Sequence, residues 1–308
     1  MQEFYLGIEI GGSKLPMVLG DDSASVAQRW RLTVDARQGG AGIRQQIEAT
    51  LSEIRSMAVL RGVGVGFGGP VDWRTGRICC SHQVKGWADF ELRPWLHDLT
   101  KAPVRVDNDA NTASLGEALH GAGRGFNPVF YVTLGSGVGG GLTVDGRIYH
   151  GATPGESEIG HVRLDRRGTT IESRCSGWAV DRKVRALANK APDGLLGRLA
   201  GETKGGEAKH LGTALGQGDP EAARILKETA EDLAFGLSHA VHLFHPQIIV
   251  VGGGLSLLGE PLRAAVAKAL PQFIMDAFAP GPQVALAGLG EDAVPVGALE
   301  LAKAATSD

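Results

Sequence analysis

The chain has 308 residues, which is long for a single ordinary core and favours two domains or one large α/β unit. Its 31 basic and 34 acidic residues give a net charge of −3, so a nucleic-acid-binding protein built on a basic face is not expected. The glycine content is unusually high, at 46 residues. These glycines fall in short bursts after apolar runs, which indicates tight turns or close approaches of the backbone to a ligand.

The first part of the chain alternates strands with helices. Apolar residues recur at helical spacing at Ile43, Ile47 and Leu51, and Asp107 or Asn108 can cap a helix that follows a strand. The predicted elements are a strand over 4–10, its hairpin partner over 14–19, a helix within 40–60, strands over 62–67 and 103–106, and a helix that ends near His120.

The second part follows a glycine-rich connector over 121–125 and shows the same alternation. Its glycine-rich stretch 191–218 is irregular and predicts a surface loop. The predicted elements are strands over 129–134, up to Val144 and over 247–251, and helices over about 220–245, 261–277 and 296–308. This alternation predicts an α/β class with two lobes, a smaller one of 1–115 plus 296–308 and a larger one of 116–295.

The number of cysteines and the length of the apolar runs indicate the cellular compartment of the protein. Cys79, Cys80 and Cys175 are too few and too unevenly placed for a disulfide framework, which favours a reducing environment. The N-terminus lacks the basic region of a signal peptide, and no apolar run reaches the ~18 residues of a membrane span. We therefore expect a cytoplasmic protein without membrane contact.

Three glycine bursts, 11–14, 135–141 and 252–254, follow predicted strands. Successive backbone N–H groups in such bursts can cradle phosphate, although each burst can also be only a tight turn. The second burst superficially fits the dinucleotide-binding fingerprint, but that fingerprint must open a helix, and 142–146 is typical of a strand and a turn. A Walker A loop is absent from the sequence, so neither common nucleotide motif applies.

Five motifs occur in an order and spacing that resemble one family. They are Gly7-Ile8-Glu9-Ile10-Gly11-Gly12-Ser13-Lys14, Asn108-Asp109-Ala110-Asn111, Leu134-Gly135-Ser136-Gly137-Val138-Gly139-Gly140-Gly141, Glu158-Ile159-Gly160-His161 and Val250-Val251-Gly252-Gly253-Gly254. With them the chain resembles the ROK family of sugar kinases and sugar-responsive repressors from about residue 5 to 300. The resemblance implies a two-lobed actin/hexokinase-like (ribonuclease H-like) fold with a cleft between the lobes, and a homodimer.

The resemblance also implies which residues act on the sugar. Asp109 would be the base that accepts the proton of the acceptor hydroxyl, and its place near a helix N-terminus is expected to keep it ionised at pH 7. The alternative is that Asp109 only caps the helix. The residues that would bind the sugar are Gly69, Asn108, Asp109, Glu158 and His161.

Nucleotide-binding roles follow from the resemblance in the same way. Magnesium bound with ATP would be the cofactor, and Glu9 would reach it through water. The residues that would bind ATP are Gly11, Gly12, Ser13 and Lys14 on the β- and γ-phosphates, Gly135, Ser136 and Gly137 on the opposite side of the triphosphate, and Gly253 and Gly254 under the adenosine.

Three departures from the family pattern bear on function. Glu9 and Ser13 stand where the family usually has Asp and Thr, and both keep the functional group. Only Cys175 follows the Glu-x-Gly-His motif, so no zinc site is expected, and His239, His242 and His245 are not expected to bind metal. A further sugar-binding Glu of the family falls near Trp178, with Glu172 and Asp181 as the nearest acids, and a missing carboxylate would alter sugar choice.

The sequence therefore favours a glucokinase-like enzyme that phosphorylates a primary hydroxyl of a hexose or amino sugar. The alternative is a non-catalytic sugar- or nucleotide-sensing regulator, or a pseudo-kinase. Repressors of the family carry a helix-turn-helix region before the first glycine motif, which here begins by residue 7, so no nucleic-acid partner is expected. The sugar and the preferred phosphoryl donor, ATP, another triphosphate or polyphosphate, stay open.

Overall fold

A computed structural model describes residues 2–81, 83–153, 155, 157–201 and 203–307. The chain divides into two units. The first comprises Met1–Gly125, Gly141–Ser157 and Gly288–Asp308, and the second comprises Phe126–Gly140 and Glu158–Ala287. The first unit therefore takes in 116–125, 141–157 and 288–295, which the sequence analysis placed in the larger lobe.

The first unit is built on a five-stranded sheet. Its elements are β1 (Gln2–Ile10), β2 (Lys14–Gly20), β3 (Val26–Thr33), α1 (Gly39–Met57), β4 (Ala58–Phe67), β5 (Val71–Asp72), β6 (Arg77–Ile78), β7 (Phe90–Glu91), α2 (Leu92–Thr100), β8 (Val104–Asn108) and α3 (Asp109–His120). The sheet order is β3–β2–β1–β4–β8, and β5, β6 and β7 form a small separate sheet. Because β1, β4 and β8 run parallel, their carboxyl ends lie at one edge.

The remaining elements follow the connector. They are β9 (Val129–Leu134), β10 (Val138–Val144), β11 (Arg147–Ile148), α4 (Ile171–Cys175), α5 (Gly177–Lys190), α6 (Leu195–Ala200), α7 (Lys209–Gly216), α8 (Pro220–Phe244), β12 (Ile248–Gly252), α9 (Glu260–Ala269), β13 (Gln283–Leu286) and α10 (Ala293–Ala305). Their sheet has the order β11–β10–β9–β12–β13, and β12 runs parallel to β9 and β13. The predicted α/β class is confirmed.

Helix α10 returns to the first unit and packs on β4 and α3. Glycine makes this packing possible, because a Cβ on Gly64 would overlap the carbonyl oxygen of Ala298 and one on Gly297 would overlap that of Thr112. Backbone therefore lies directly against backbone at both contacts. The chain end is fixed next to the helix that carries Asp109.

The prediction of a surface loop over 191–218 is wrong. This stretch contains α6 and α7, and Leu196, Leu211 and Ala214 on these helices are buried. Its glycines lower helix propensity, but tertiary burial of an apolar face outweighs that cost of about 1 kcal/mol per glycine. The sequence analysis also missed β3 and α2, whereas the predicted long helix is observed as α8 and ends at a left-handed His245 before Pro246.

Candidate functional site

The junction of β8 and α3 places Asn108 and Asp109. Asn108 is the N-cap of α3, because its Oδ1 accepts hydrogen bonds from the backbone N of Ala110 (2.8 Å) and of Asn111 (3.2 Å). Asp109 is the first helical residue, and its Oδ1 accepts from Ala110 N at 2.8 Å. The structure thus gives the capping role to Asn108 and not to Asp107.

The turn after β4 lies beside this junction. Phe67 is in register with Asn108, and the Asn108 side-chain amide donates to the carbonyl oxygen of Gly69 at 3.3 Å. A Cβ on Gly68 would lie 3.4 Å from Asp109 Oδ2, so the carboxylate of Asp109 faces this glycine turn. The structure brings together Gly69, Asn108 and Asp109, three of the predicted sugar-binding residues.

Glu9 lies near the carboxyl end of β1, in register with Gly66 of the neighbouring β4. Its pKa is raised to about 8, chiefly by burial and then by the charge of Asp109, while the Lys14 ammonium opposes the shift. A divalent cation with oxygen ligands would offset the charges of both carboxylates, so this pair fits the magnesium that the resemblance implies.

The raised pKa of Glu9 predicts a pH dependence of stability. The folded chain keeps a proton on Glu9 that the unfolded chain releases above a pKa of 4.5, so the contribution to stability falls as pH rises towards 8. Without magnesium and nucleotide, we expect the free energy of unfolding of wild type relative to Glu9→Gln to fall by roughly 2–3 kcal/mol between about pH 5.5 and about pH 8.5. Urea unfolding of both proteins across this range measures the difference, and parallel curves would contradict the raised pKa of Glu9.

Lys14 follows the first glycine burst and has a charged neighbour. Its Nζ lies 2.6 Å from Glu291 Oε1, and both side chains are exposed. The Lys14 ammonium lowers the pKa of the Glu291 carboxyl by a side-chain hydrogen bond. A phosphate that binds Lys14 would have to replace this surface ion pair, which costs little because such pairs contribute about 0–1 kcal/mol.

The second glycine burst joins β9 to β10. Gly135 N donates to the carbonyl oxygen of Gly137 at 3.0 Å, and Gly177 N donates to that of Gly135 at 2.7 Å. The burst therefore opens a strand, as the sequence predicted, and the dinucleotide-binding fingerprint does not apply.

A cavity of about 530 Å³ lies beside this burst within the second unit. Its rim is apolar, since Trp178 is 61% exposed and Leu257 is 88% exposed. Its wall near 206–208 is held by Asp181, whose carboxylate accepts from the backbone N of Gly206 and Ala208 at 3.1 and 2.7 Å. The lining residues are Leu134, Gly135, Ser136, Gly177, Trp178, Asp181, Gly206, Ala208, Lys209, Gly212, Gly254, Leu255, Leu257 and Leu258.

The two glycines of the third burst differ in their surroundings. Gly253 has a φ of +81°, and a Cβ there would lie 2.5 Å from the backbone N of Leu134, so this position requires glycine. A Cβ on Gly254 would meet no heavy atom of the described residues within 4 Å, and Gly254 lines the cavity. Gly253 thus makes the turn, and Gly254 leaves space for a ligand.

Glu158 precedes a short 3-10 turn of the second unit, Ile159–His161, and His161 is its last residue. His161 Nε2 lies 3.9 Å from Glu158 Oε2, and both side chains are at least half exposed. The turn packs on β10, because a Cβ on Gly160 would overlap the carbonyl oxygen of Val138. Both side chains therefore lie at a surface where they can reach a polar ligand.

Helix α4 carries an acid that the sequence analysis left without a role. Thr170 caps this helix, and the Glu172 carboxylate accepts from Val138 N at 3.0 Å. The sequence has no carboxylate at Trp178, near which a further sugar-binding Glu of the family falls. Glu172 supplies a carboxylate that lies against the second glycine burst. The capping pattern Thr170-x-x-Ser173 is a signal for this helix, but the helix has only five residues.

Candidate metal ligands do not cluster among the described residues. No group of three or more His, Cys, Asp or Glu side chains there could hold a metal ion. His239 Nδ1 faces the carbonyl oxygen of Phe235 in its own helix at 3.1 Å, and His242 Nε2 accepts from Met275 N at 3.1 Å. Burial raises the pKa of the Cys175 thiol to about 12.

In the part of the chain that the structure describes, no helix is long and apolar enough to cross a membrane.

Known proteins similar to this chain bear on what the site does. A model of the ROK family matches residues 5–305. A glucokinase of Halalkalibacterium halodurans is 30% identical over 96% of this chain and 93% of its own, and a glucokinase of Thermotoga maritima is 29% identical over 97% and 96%. The crystal structure of a ROK family glucokinase from Streptomyces griseus with glucose and AMPPNP is 30% identical, covers 98% of this chain and 99% of its own, and has a TM-score of 0.85.

Proposed function

The chain belongs to the ROK family, and we propose that it transfers the γ-phosphoryl group of ATP to the primary hydroxyl of a hexose or amino sugar, with Asp109 as base. It is an ATP-dependent sugar kinase with the actin/hexokinase-like fold. Glucose is the first sugar to test, because similar proteins are glucokinases.

The observation that carries the proposal is the position of Asp109. Its carboxylate lies at the start of α3, beside Gly68 and next to the Asn108 amide that donates to Gly69. Phosphoryl transfer through a loose transition state requires positioning and a weak base rather than covalent chemistry. A carboxylate held in one orientation by Ala110 N supplies such a base.

Besides Asp109, four residues would bind the sugar hydroxyls. They are Gly69, Asn108, Glu158 and His161. We assign a further sugar contact to Glu172, because its helix α4 packs on the turn that carries His161. Carboxylate, amide and imidazole groups together match the donors and acceptors of a sugar.

The nucleotide would be bound by the three glycine bursts. Gly11, Gly12, Ser13 and Lys14 would contact the β- and γ-phosphates, Gly135, Ser136 and Gly137 would contact the other side of the triphosphate, and Gly253 and Gly254 would border the adenosine. Magnesium bound with ATP supplies charge neutralisation of the phosphates, and Glu9 would orient its waters.

A coupled ADP-release assay with hexoses and amino sugars tests the proposal. ADP release that depends on one sugar supports it, and phosphorus NMR of the product then identifies the phosphorylated hydroxyl. ATP binding without release in the presence of any sugar would favour the alternative, a regulator or pseudo-kinase. Replacing ATP by another triphosphate or by polyphosphate identifies the preferred donor.

Gly254→Val is expected to raise the KM for ATP by about tenfold or more, because the side chain would enter space that the nucleotide needs. Its Cβ meets no described atom within 4 Å, so thermal stability should stay close to that of wild type. Steady-state kinetics and thermal unfolding measure both effects. Gly216→Val is the matched control, since its Cβ also has open space but the residue does not line the cavity. Equal KM values in the two variants would contradict a nucleotide next to Gly254.

We also propose a cytoplasmic homodimer. Leu243 at the end of α8 is 75% exposed and Met275 is 50% exposed, and such apolar side chains suit a contact between subunits. Light scattering coupled to size exclusion measures the mass, and a monomer at micromolar concentration would contradict the dimer.

A further inference from the structure

Asp107 is a buried acid that immediately precedes the two residues assigned to the sugar. It is 4% exposed. Its Oδ1 accepts hydrogen bonds from the backbone N of Asn108 (2.8 Å) and from the Asn111 side-chain amide (3.0 Å). Its Oδ2 lies 2.6 Å from His150 Nε2. A buried carboxylate is stable only when such donors satisfy it, so these groups hold one another in place.

His150 comes from a distant part of the sequence. It follows β11, and the Asn111 amide that donates to Asp107 also donates to the carbonyl oxygen of Gly155 at 3.1 Å. The imidazole ring stacks on Trp73, with ring centroids 4.1 Å apart and an interplanar angle of 13°. His150 is therefore fixed in orientation by an aromatic neighbour as well as by Asp107.

These contacts determine the direction of the peptide that leads into Asp109. The Asn108 N–H points at Asp107, while the Asn108 carbonyl oxygen accepts from Thr112 Oγ1 at 2.7 Å. Both ends of the residue before Asp109 are thus held. A misplacement of about 1 Å in a reacting group can cost on the order of 10²-fold in rate, so fixing this peptide matters for catalysis.

We propose that Asp107 and His150 form a positioning pair that orients Asp109 for proton transfer. The pair does not touch the substrate in this role, and it acts through the Asn108 peptide. The inference rests on the proposed function, in which Asp109 is the base. If wild type releases no ADP with any sugar, the proposed function fails. If wild type is active but the His150 and Asp107 variants do not show the kcat changes given below, only the positioning role fails.

His150→Phe and His150→Gln separate the hydrogen bond from the ring. Phe keeps an aromatic ring against Trp73 but has no donor, whereas the Gln amide nitrogen can still donate to Asp107 Oδ2. We expect kcat to fall about 10–100-fold in His150→Phe, with the KM for ATP within about twofold of wild type. His150→Gln should recover kcat to within about threefold of wild type.

His120→Phe is the matched control. His120 Nε2 lies 2.7 Å from Glu300 Oε1, so it makes a similar pair with a carboxylate in the same unit, at the far end of α3. This variant should keep the kcat of wild type. Wild-type kcat in His150→Phe, or an equal loss in the Phe and Gln variants, would overturn the proposal.

Asp107→Asn provides a second route if His150→Phe fails to fold. It keeps the volume of the side chain but turns one accepting oxygen into a donor group. We expect its kcat to fall about tenfold while the KM for ATP stays within about twofold of wild type. An unchanged kcat in Asp107→Asn would overturn the proposal.

Discussion

Asp109→Ala is expected to lower kcat by about 10²–10⁴-fold while ATP binding persists, because the acceptor hydroxyl loses the group that takes its proton. The Asp109 side chain is half-buried and its Oδ1 accepts from the adjacent Ala110 N, while Asn108 is the residue that caps α3. The helix should therefore form without the carboxylate. Coupled ADP release measures kcat, and calorimetric titration with a non-hydrolysable ATP analogue measures binding.

The competing explanation is that Asp109 stabilises only the helix terminus. Asp219→Ala is the matched control, because Asp219 is the N-cap of α8 and its Oδ1 accepts from Ala222 N at 2.8 Å. Loss of that cap should cost about 0.5–2 kcal/mol of stability without a comparable loss of kcat. Turnover close to wild type in Asp109→Ala would remove Asp109 from its proposed role as base.

The parts of the site that the sequence predicted are those formed by local chemistry. Glycines 11–12, 135–137 and 253–254 lie at strand ends, and the Asn108–Asp109 junction opens a helix, as predicted. In each case a few consecutive residues determine the turn or the cap, so the pattern can be recognised from the sequence alone. The parallel strands β1 and β4 likewise follow from apolar runs.

The parts that the sequence did not predict depend on contacts between distant segments. Asp107 and His150 are 43 residues apart in the sequence, and their side chains meet only in the folded chain. In the sequence, Asp181 is one of the acids nearest to the position of the family's further sugar-binding Glu. In the structure its carboxylate accepts from the backbone of 206–208, a segment within the stretch that was predicted as a loop. Short helices such as α4 give too few turns for a hydrophobic period to appear.

Glu117 is another residue whose role only the structure reveals. It is fully buried on α3, and its Oε2 accepts from the backbone N of Ala122 (2.8 Å) and Gly288 (2.9 Å). Its Oε1 accepts from Leu289 N at 2.8 Å. These donors belong to the segment where the chain leaves the first unit and the segment where it returns, so one carboxyl fixes both segments to α3.

Glu117→Ala is expected to lower the free energy of unfolding by about 3–5 kcal/mol, because it leaves buried N–H groups without an acceptor and opens a cavity. Glu117→Gln keeps one accepting oxygen but places an amide donor against an N–H group, so about 1–3 kcal/mol should be lost. Urea unfolding without ligands measures both variants.

Glu300→Ala is the control, since Glu300 is also a largely buried acid of the first unit but pairs with the side chains of His120 and Lys303. Its loss should stay near 1 kcal/mol, because partners with charged tips can turn to solvent whereas backbone N–H groups cannot. A loss in Glu117→Ala no larger than in Glu300→Ala would show that the two segments are held by other contacts.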